Sequence, residues 1–79
     1  MRTAKELIKV LGGASSVARI LGIKEPSVFE WNKNNSIPEG RLIRLAPILE
    51  KKTNNEINRK NLFPDNYHEI WPELSEKEN

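Results

Sequence analysis

The residues best equipped for chemistry lie close together, between Arg19 and Arg41. Glu25, Pro26, Ser27, Phe29, Glu30 and Lys33 would share the outward side of one helix if Val28 and Trp31 turn inward. Such a surface suits the edges of base pairs. Carboxylates of Glu25 and Glu30 can accept from a cytosine amino group, and Ser27 can donate or accept. Phe29 can touch a thymine methyl, with Pro26 beside it, and Lys33 can reach a guanine or a phosphate. Arg19, Lys24, Asn34 and Arg41 are candidates for phosphate contacts, which position a protein without reading sequence. Simpler roles stay open. Glu25 can merely oppose the dipole of a helix N-terminus, Phe29 can fold onto the core edge near Ile37, and Arg19 can be a solvated charge. Trp31 belongs to the core and is not a stacking platform.

Other chemistries find little here. Without cysteine, disulfide scaffolds, thiol catalysis and Cys-based zinc sites are excluded. His68 is the single histidine, so no metal site or cofactor is expected. Ser27, Asp65 and His68 do not make a credible triad, because no nucleophile elbow, oxyanion motif or phosphate-cradling glycine loop accompanies them. No enzymatic activity is expected. Apolar runs of only a few residues fall far short of the ~20 needed to span a bilayer. The N-terminus carries no apolar signal segment, so the expected compartment is the cytoplasm.

The elements that must position these residues read as helices. Thr3 to Glu6 forms a capping box ahead of Leu7, Ile8 and Leu11, and Gly12-Gly13 stop this helix. Ser15 and Ser16 can open a second helix through Val17, Ala18, Ile20 and Leu21, closed by Gly22. Glu25-Pro26 suit the first turn of a third. Asn32 to Ser36 reads as a polar loop. Ser36 to Glu39 repeats the capping-box logic before a fourth helix, which Pro47 should kink or split near Ala46. Asn54-Asn55 suit left-handed turn positions, Ile57 a short extended pairing, and Asn58 the cap of one turn reaching Leu62. Tyr67, Ile70, Trp71 and Leu74 can tether part of the tail, and residues 75–79 are expected to be disordered.

Residues 14–33 carry the most specific pattern. Ala18 is small where two helices approach, and Gly22 falls at the turn. Ile23 follows as a plug, and Val28 and Trp31 have the spacing of a second packed helix. Together they predict a helix-turn-helix. Charge agrees: residues 1–44 carry eight basic against four acidic side chains, a net +4, and residues 45–79 five against seven, a net −2. A basic first half suits a polyanion. The expected organisation is a DNA-binding domain over residues 1–64 and an acidic tail over 65–79.

The run Gly12-Gly13-Ala14-Ser15-Ser16-Val17-Ala18-Arg19-Ile20-Leu21-Gly22-Ile23, followed by Val28 and Trp31, resembles the Cro/YdaS-type DNA-binding proteins of phages and prophages. Leu49 to Asp65 is similar to that family's Leu-Glu-Lys-x-Thr-Gly-Gly, Thr-Arg and Leu-Arg-Pro-Asp stretches, and Ile70-Trp71 fits its trailing tryptophan. The resemblance covers roughly residues 3–74. It implies an all-α, four- to five-helix lambda-repressor-like domain with a loosely ordered C-terminal tail. It also implies a repressor that binds an inverted-repeat operator in double-stranded DNA and denies it to RNA polymerase. The alternative is an antitoxin-like interaction module whose partner is a toxin protein. Lys24 stands where relatives have a capping Ser, Ala14 where they often have Gln, Phe63 for Arg, and Asn54-Asn55 for Gly-Gly.

A single reading helix touches too few base pairs for useful specificity against a genome, so a homodimer is expected, forming on DNA if its interface is small. Its surface should come from the end of the fourth helix and the segment around Ile57, Leu62 and Phe63.

Overall fold

The computed structural model describes residues 3–76, with side chains described through Leu74. Seven helices follow one another: α1 Ala4–Val10, α2 Ala14–Leu21, α3 Glu25–Asn34, α4 Glu39–Lys52, α5 Arg59–Leu62, α6 Tyr67–Ile70 and α7 Pro72–Glu76. The protein is a small all-α domain of the helix-turn-helix kind.

Local chemistry accounts for most of the boundaries. Thr3 caps α1, its hydroxyl oxygen accepting from the Glu6 N–H at 3.2 Å. Helices α1 to α4 all close the same way, with an N–H donating back five residues. The bonds are Gly13 to Ile8 at 2.9 Å, Ile23 to Ala18 at 2.9 Å, Ser36 to Trp31 at 3.0 Å and Asn55 to Glu50 at 2.8 Å. The chain must turn left-handed at such ends, and Gly22, Asn35, Asn54 and Asn55 all have positive φ. Asn58 and Asn61 form a reciprocal capping box on α5, with bonds of 2.8 and 2.9 Å.

Four boundaries differ from expectation. Helix α2 begins at Ala14, not at the serines, with Gly13 as a cap that has no side chain to offer. Helix α3 runs on to Asn34, because Asn35 supplies the left-handed stop three residues later than a loop from Asn32 requires. Ser36 does not cap α4. Its N–H is engaged in closing α3, and Pro38 precedes the first turn instead. Pro47 does not split α4, which is a single 14-residue helix. Pro47 is exposed, so the Ile43 carbonyl that loses its partner can face water.

The core gathers one apolar side from each of the first four helices. Leu11, Val17, Val28, Leu45 and Leu49 are fully buried, and Trp31, Ile37, Leu42 and Ile48 pack around them half-exposed. Each buried aliphatic side chain contributes about 1.5–3 kcal/mol relative to an exposed one. Ile57 joins this core rather than pairing as a strand; no strand occurs among the described residues. A lone extended residue has no ladder to complete. Thr53 supplies the partner instead, its hydroxyl oxygen accepting from the Ile57 N–H at 2.9 Å and lying 2.7 Å from the Leu49 carbonyl.

Beyond Pro64 the chain folds back on α4 and α5. Phe63 is buried and meets Trp71 edge to face, ring centroids 5.7 Å apart. Arg59 ties the two parts together. Its guanidinium reaches Glu50 at 3.2 Å and Glu73 at 3.6 Å and lies 5.6 Å from the centre of the Trp71 ring. Phe63 and Ile57 are therefore interior residues of their own chain, and the dimer surface expected around them from the sequence is not available there. The tail partner that buries Phe63 is Trp71 itself. Ser75 and Glu76 close α7, and the rest of the segment expected to be disordered, residues 77–79, lies outside the described residues.

Candidate nucleic-acid interface

Helices α2 and α3 are joined by a three-residue turn, Gly22 to Lys24. Gly22 adopts φ 70°, ψ 35°, the left-handed conformation that reverses the chain without steric cost to glycine. Ile23 then packs half-buried on the core. Helix α3 is held from one side, by Val28 at its centre and Trp31 one turn on. At about 100° per residue, Pro26, Glu30 and Lys33 point directly away from Val28. Ser27 and Asn34 flank them on one side, Phe29 and Glu25 on the other. All seven are exposed. The structure thus brings the six candidate base-contacting residues onto one solvent-facing helix.

Lys24 is the N-cap of α3 and makes no side-chain capping bond. Pro26 compensates in part, since a first-turn proline has no N–H to leave unpaired. Glu30 and Asn34, assigned separate partners from the sequence, face each other across one helical turn, the Asn34 amide donating to the Glu30 carboxylate at 3.5 Å. That long contact orients the Glu30 carboxylate without burying it. Arg19 is exposed on α2, opposite Val17 and Leu21, and Arg41 is half-buried in the first turn of α4. Arg19, Lys24, Lys33 and Arg41 have no ion-pair partner among the described residues.

Phe29 is 54% exposed. It lines a shallow groove between α3 and α1, and Ile37 is not part of that groove. The other wall carries Lys5 and Lys9, with the Gly12-Gly13 turn at one end and Asn32 beside Phe29. Sequence reasoning passed over these two lysines. Their signal was present as an i, i+4 pair opposite Leu7 and Leu11 on α1. What the sequence could not show was that α1 lies beside α3. The Lys5 N–H meets the Asn35 side-chain oxygen at 3.4 Å, which links the start of α1 to the end of α3.

No group of three or more metal-ligating side chains comes together among the described residues. No helix among them is long and apolar enough to cross a membrane.

Comparison with known proteins places this chain in a family. A family model described as Bacterial toxin YdaS matches residues 4–71. A protein of Escherichia coli (strain K12) with the name "Putative transcriptional regulator YdaS" is 37% identical over 62 residues, 77% of this chain and 59% of the relative. The chain therefore spans less than two thirds of that relative's length. No solved structure matches. The two descriptions differ, one naming a toxin and the other a regulator of transcription. Of the two names joined in the sequence resemblance, YdaS is the one these matches carry, and the wider Cro/CI superfamily gains nothing from them. On the strength of the match across residues 4–71, the chain belongs to the YdaS family.

Proposed function

We propose that this protein is a transcriptional regulator that binds double-stranded DNA and reads its major groove with α3. One observation carries the reading: a helix-turn-helix whose second helix turns Pro26, Ser27, Phe29, Glu30 and Lys33 to solvent, with Glu25 at its start. A major groove admits one α-helix, and its base edges distinguish all four pairs. In this reading Glu25 and Glu30 accept from cytosine amino groups. Ser27 contacts either edge, Phe29 with Pro26 a thymine methyl, and Lys33 a guanine or the adjoining phosphate. Arg19, Lys24, Asn34 and Arg41 hold the backbone. The name of the 37% identical relative supports a regulatory role.

The finer assignment is a repressor of Cro type. It would act in the cytoplasm as a homodimer on an inverted repeat, blocking RNA polymerase by occupancy, without catalysis or cofactor. Residues 1–64 would bind DNA and residues 65–79 form an acidic appendage. With Ile57 and Phe63 interior, Leu62 and the end of α4 are what remains for a dimer surface.

A second reading has one specific support, the family description as a toxin. There the chain acts through a protein partner, and the family description gives it the toxin's part, not the antitoxin's part expected from the sequence. Selection from random duplex DNA, followed by gel shifts across a salt series, separates the two. A DNA regulator enriches a defined motif and loses affinity steeply with salt. Failure to enrich any motif, with weak binding of every duplex, refutes the first reading.

A further inference from the structure

We infer that the groove between α1 and α3 seats the sugar–phosphate backbone of the duplex, with Lys5 and Lys9 as its anchoring cations. This rests on the DNA-reading assignment above and extends the contact surface to a helix outside the helix-turn-helix. Lys5 and Lys9 stand one turn apart on α1, both exposed, and neither has an ion-pair partner among the described residues. Both line the groove, and no carboxylate does. The contrast lies on the far side of α1, where a second groove against α4 and α5 is lined by Glu6 and Glu56.

The groove is also open enough for a backbone to enter. Gly12 and Gly13 form its end without side chains, and a Cβ on Gly13 would meet nothing within 4 Å. Its second wall belongs to the reading helix. Phe29 and Lys33 stand one turn apart on the same side of α3, so a strand that meets Lys33 runs past this wall. An ammonium group suits a phosphate here because it acts as a point charge and imposes no fixed fork geometry. The Asn32 amide is a further donor on the same wall.

The test measures binding of the full chain to its selected duplex over a salt series. Each phosphate contact contributes about 0.9 to the slope of log K against log salt. The double variant Lys5→Gln/Lys9→Gln should therefore flatten that slope by about 1.8, a roughly 60-fold loss of affinity at ~0.1 M salt if the term vanishes near ~1 M. The order of preference among duplexes should not change. Lys9→Gln alone should flatten the slope by about half as much, and it serves if the double variant folds poorly. Arg44→Gln removes one charge from an exposed position on α4, outside the groove and the contacts proposed above, and should leave the slope nearly unchanged. Equal losses from Lys9→Gln and Arg44→Gln, or an unaltered slope in Lys5→Gln/Lys9→Gln, overturn the groove while leaving α3 as the reader. A wild-type chain that binds no duplex overturns both.

Discussion

Two glycines flank α2, and the structure distinguishes how much each is needed. Gly13 sits at φ 97°, ψ 176°, and Gly22 at φ 70°, ψ 35°. A Cβ added at either position meets no atom within 4 Å, so any cost of alanine is backbone strain and not a clash. The Gly22 conformation is the ordinary left-handed well, where a single L-residue costs about 1 kcal/mol. The Gly13 conformation is essentially closed to side chains, and occupying it costs about 3 kcal/mol, the upper end of local backbone strain. In a domain of this size 1 kcal/mol moves the melting temperature by about 4–8 °C. Gly22→Ala should therefore lower the midpoint by about 6 °C, and Gly13→Ala by about 15 °C or more, close to the whole stability of a small core. Gly22→Asn should recover most of the loss. Asn35, Asn54 and Asn55 already adopt φ of 53°, 55° and 72° in this chain. Thermal and urea unfolding followed by far-ultraviolet circular dichroism measure all three variants. Equal losses at the two positions, or asparagine no better than alanine at Gly22, would refute the strain argument.

Other perturbations separate reading from anchoring and core from tail. Lys33→Ala should weaken binding to all duplexes alike and flatten the salt slope by about 1, whereas Glu30→Ala should relax preference at one base pair worth about 1–3 kcal/mol. A selected motif identical to the wild type's would leave Glu30 no reading role. Arg59→Ala removes the contacts to Glu50, Glu73 and Trp71 at once. Because the ion pairs are partly exposed, the main unfolding transition should move by only about 1 kcal/mol. Limited proteolysis should meanwhile cut within residues 64–76 sooner than in the wild type; an unchanged cleavage pattern counts against the Arg59 clamp. On an inverted-repeat duplex two chains should bind, with half-sites about 34 Å apart. Sedimentation showing one chain per duplex, or a footprint lacking two-fold symmetry, excludes the dimer.

Much of this fold was legible because its boundaries are local events. Thr3, Gly22, Pro26, Asn54-Asn55 and Asn58 each do what their side chain or backbone prefers within four residues of sequence. The misread positions involve competition or distance. Ser36 could have capped α4, but that helix starts later, at Glu39 behind Pro38, while the Ser36 N–H closes α3. Pro47 could have divided α4, but it falls on the solvent side, where the missing hydrogen bond is tolerated. Ile57 had strand character and no neighbouring strand, so Thr53 took its N–H. The outward residues of α3 were readable from Val28 and Trp31 alone, since helical period fixes the opposite side. Lys5 and Lys9 were not, because their place beside Phe29 depends on how α1 packs. Phe63 offered two burial partners, and only the folded chain shows that Trp71 takes it.

Helix α3 owes its place to very few of its own residues. Val28 is its one fully buried side chain, with Trp31 half-covered, and most of the remaining positions contribute little to the packed interior. Substitutions there are therefore nearly silent in folding and fully audible to whatever α3 touches. Selection can rewrite the outward residues one by one while the scaffold beneath stays intact. Such a helix is easily re-addressed. Two chains of this architecture can diverge to different targets in a few steps, and grafting a handful of side chains onto this one should redirect it without a search for compensating core changes.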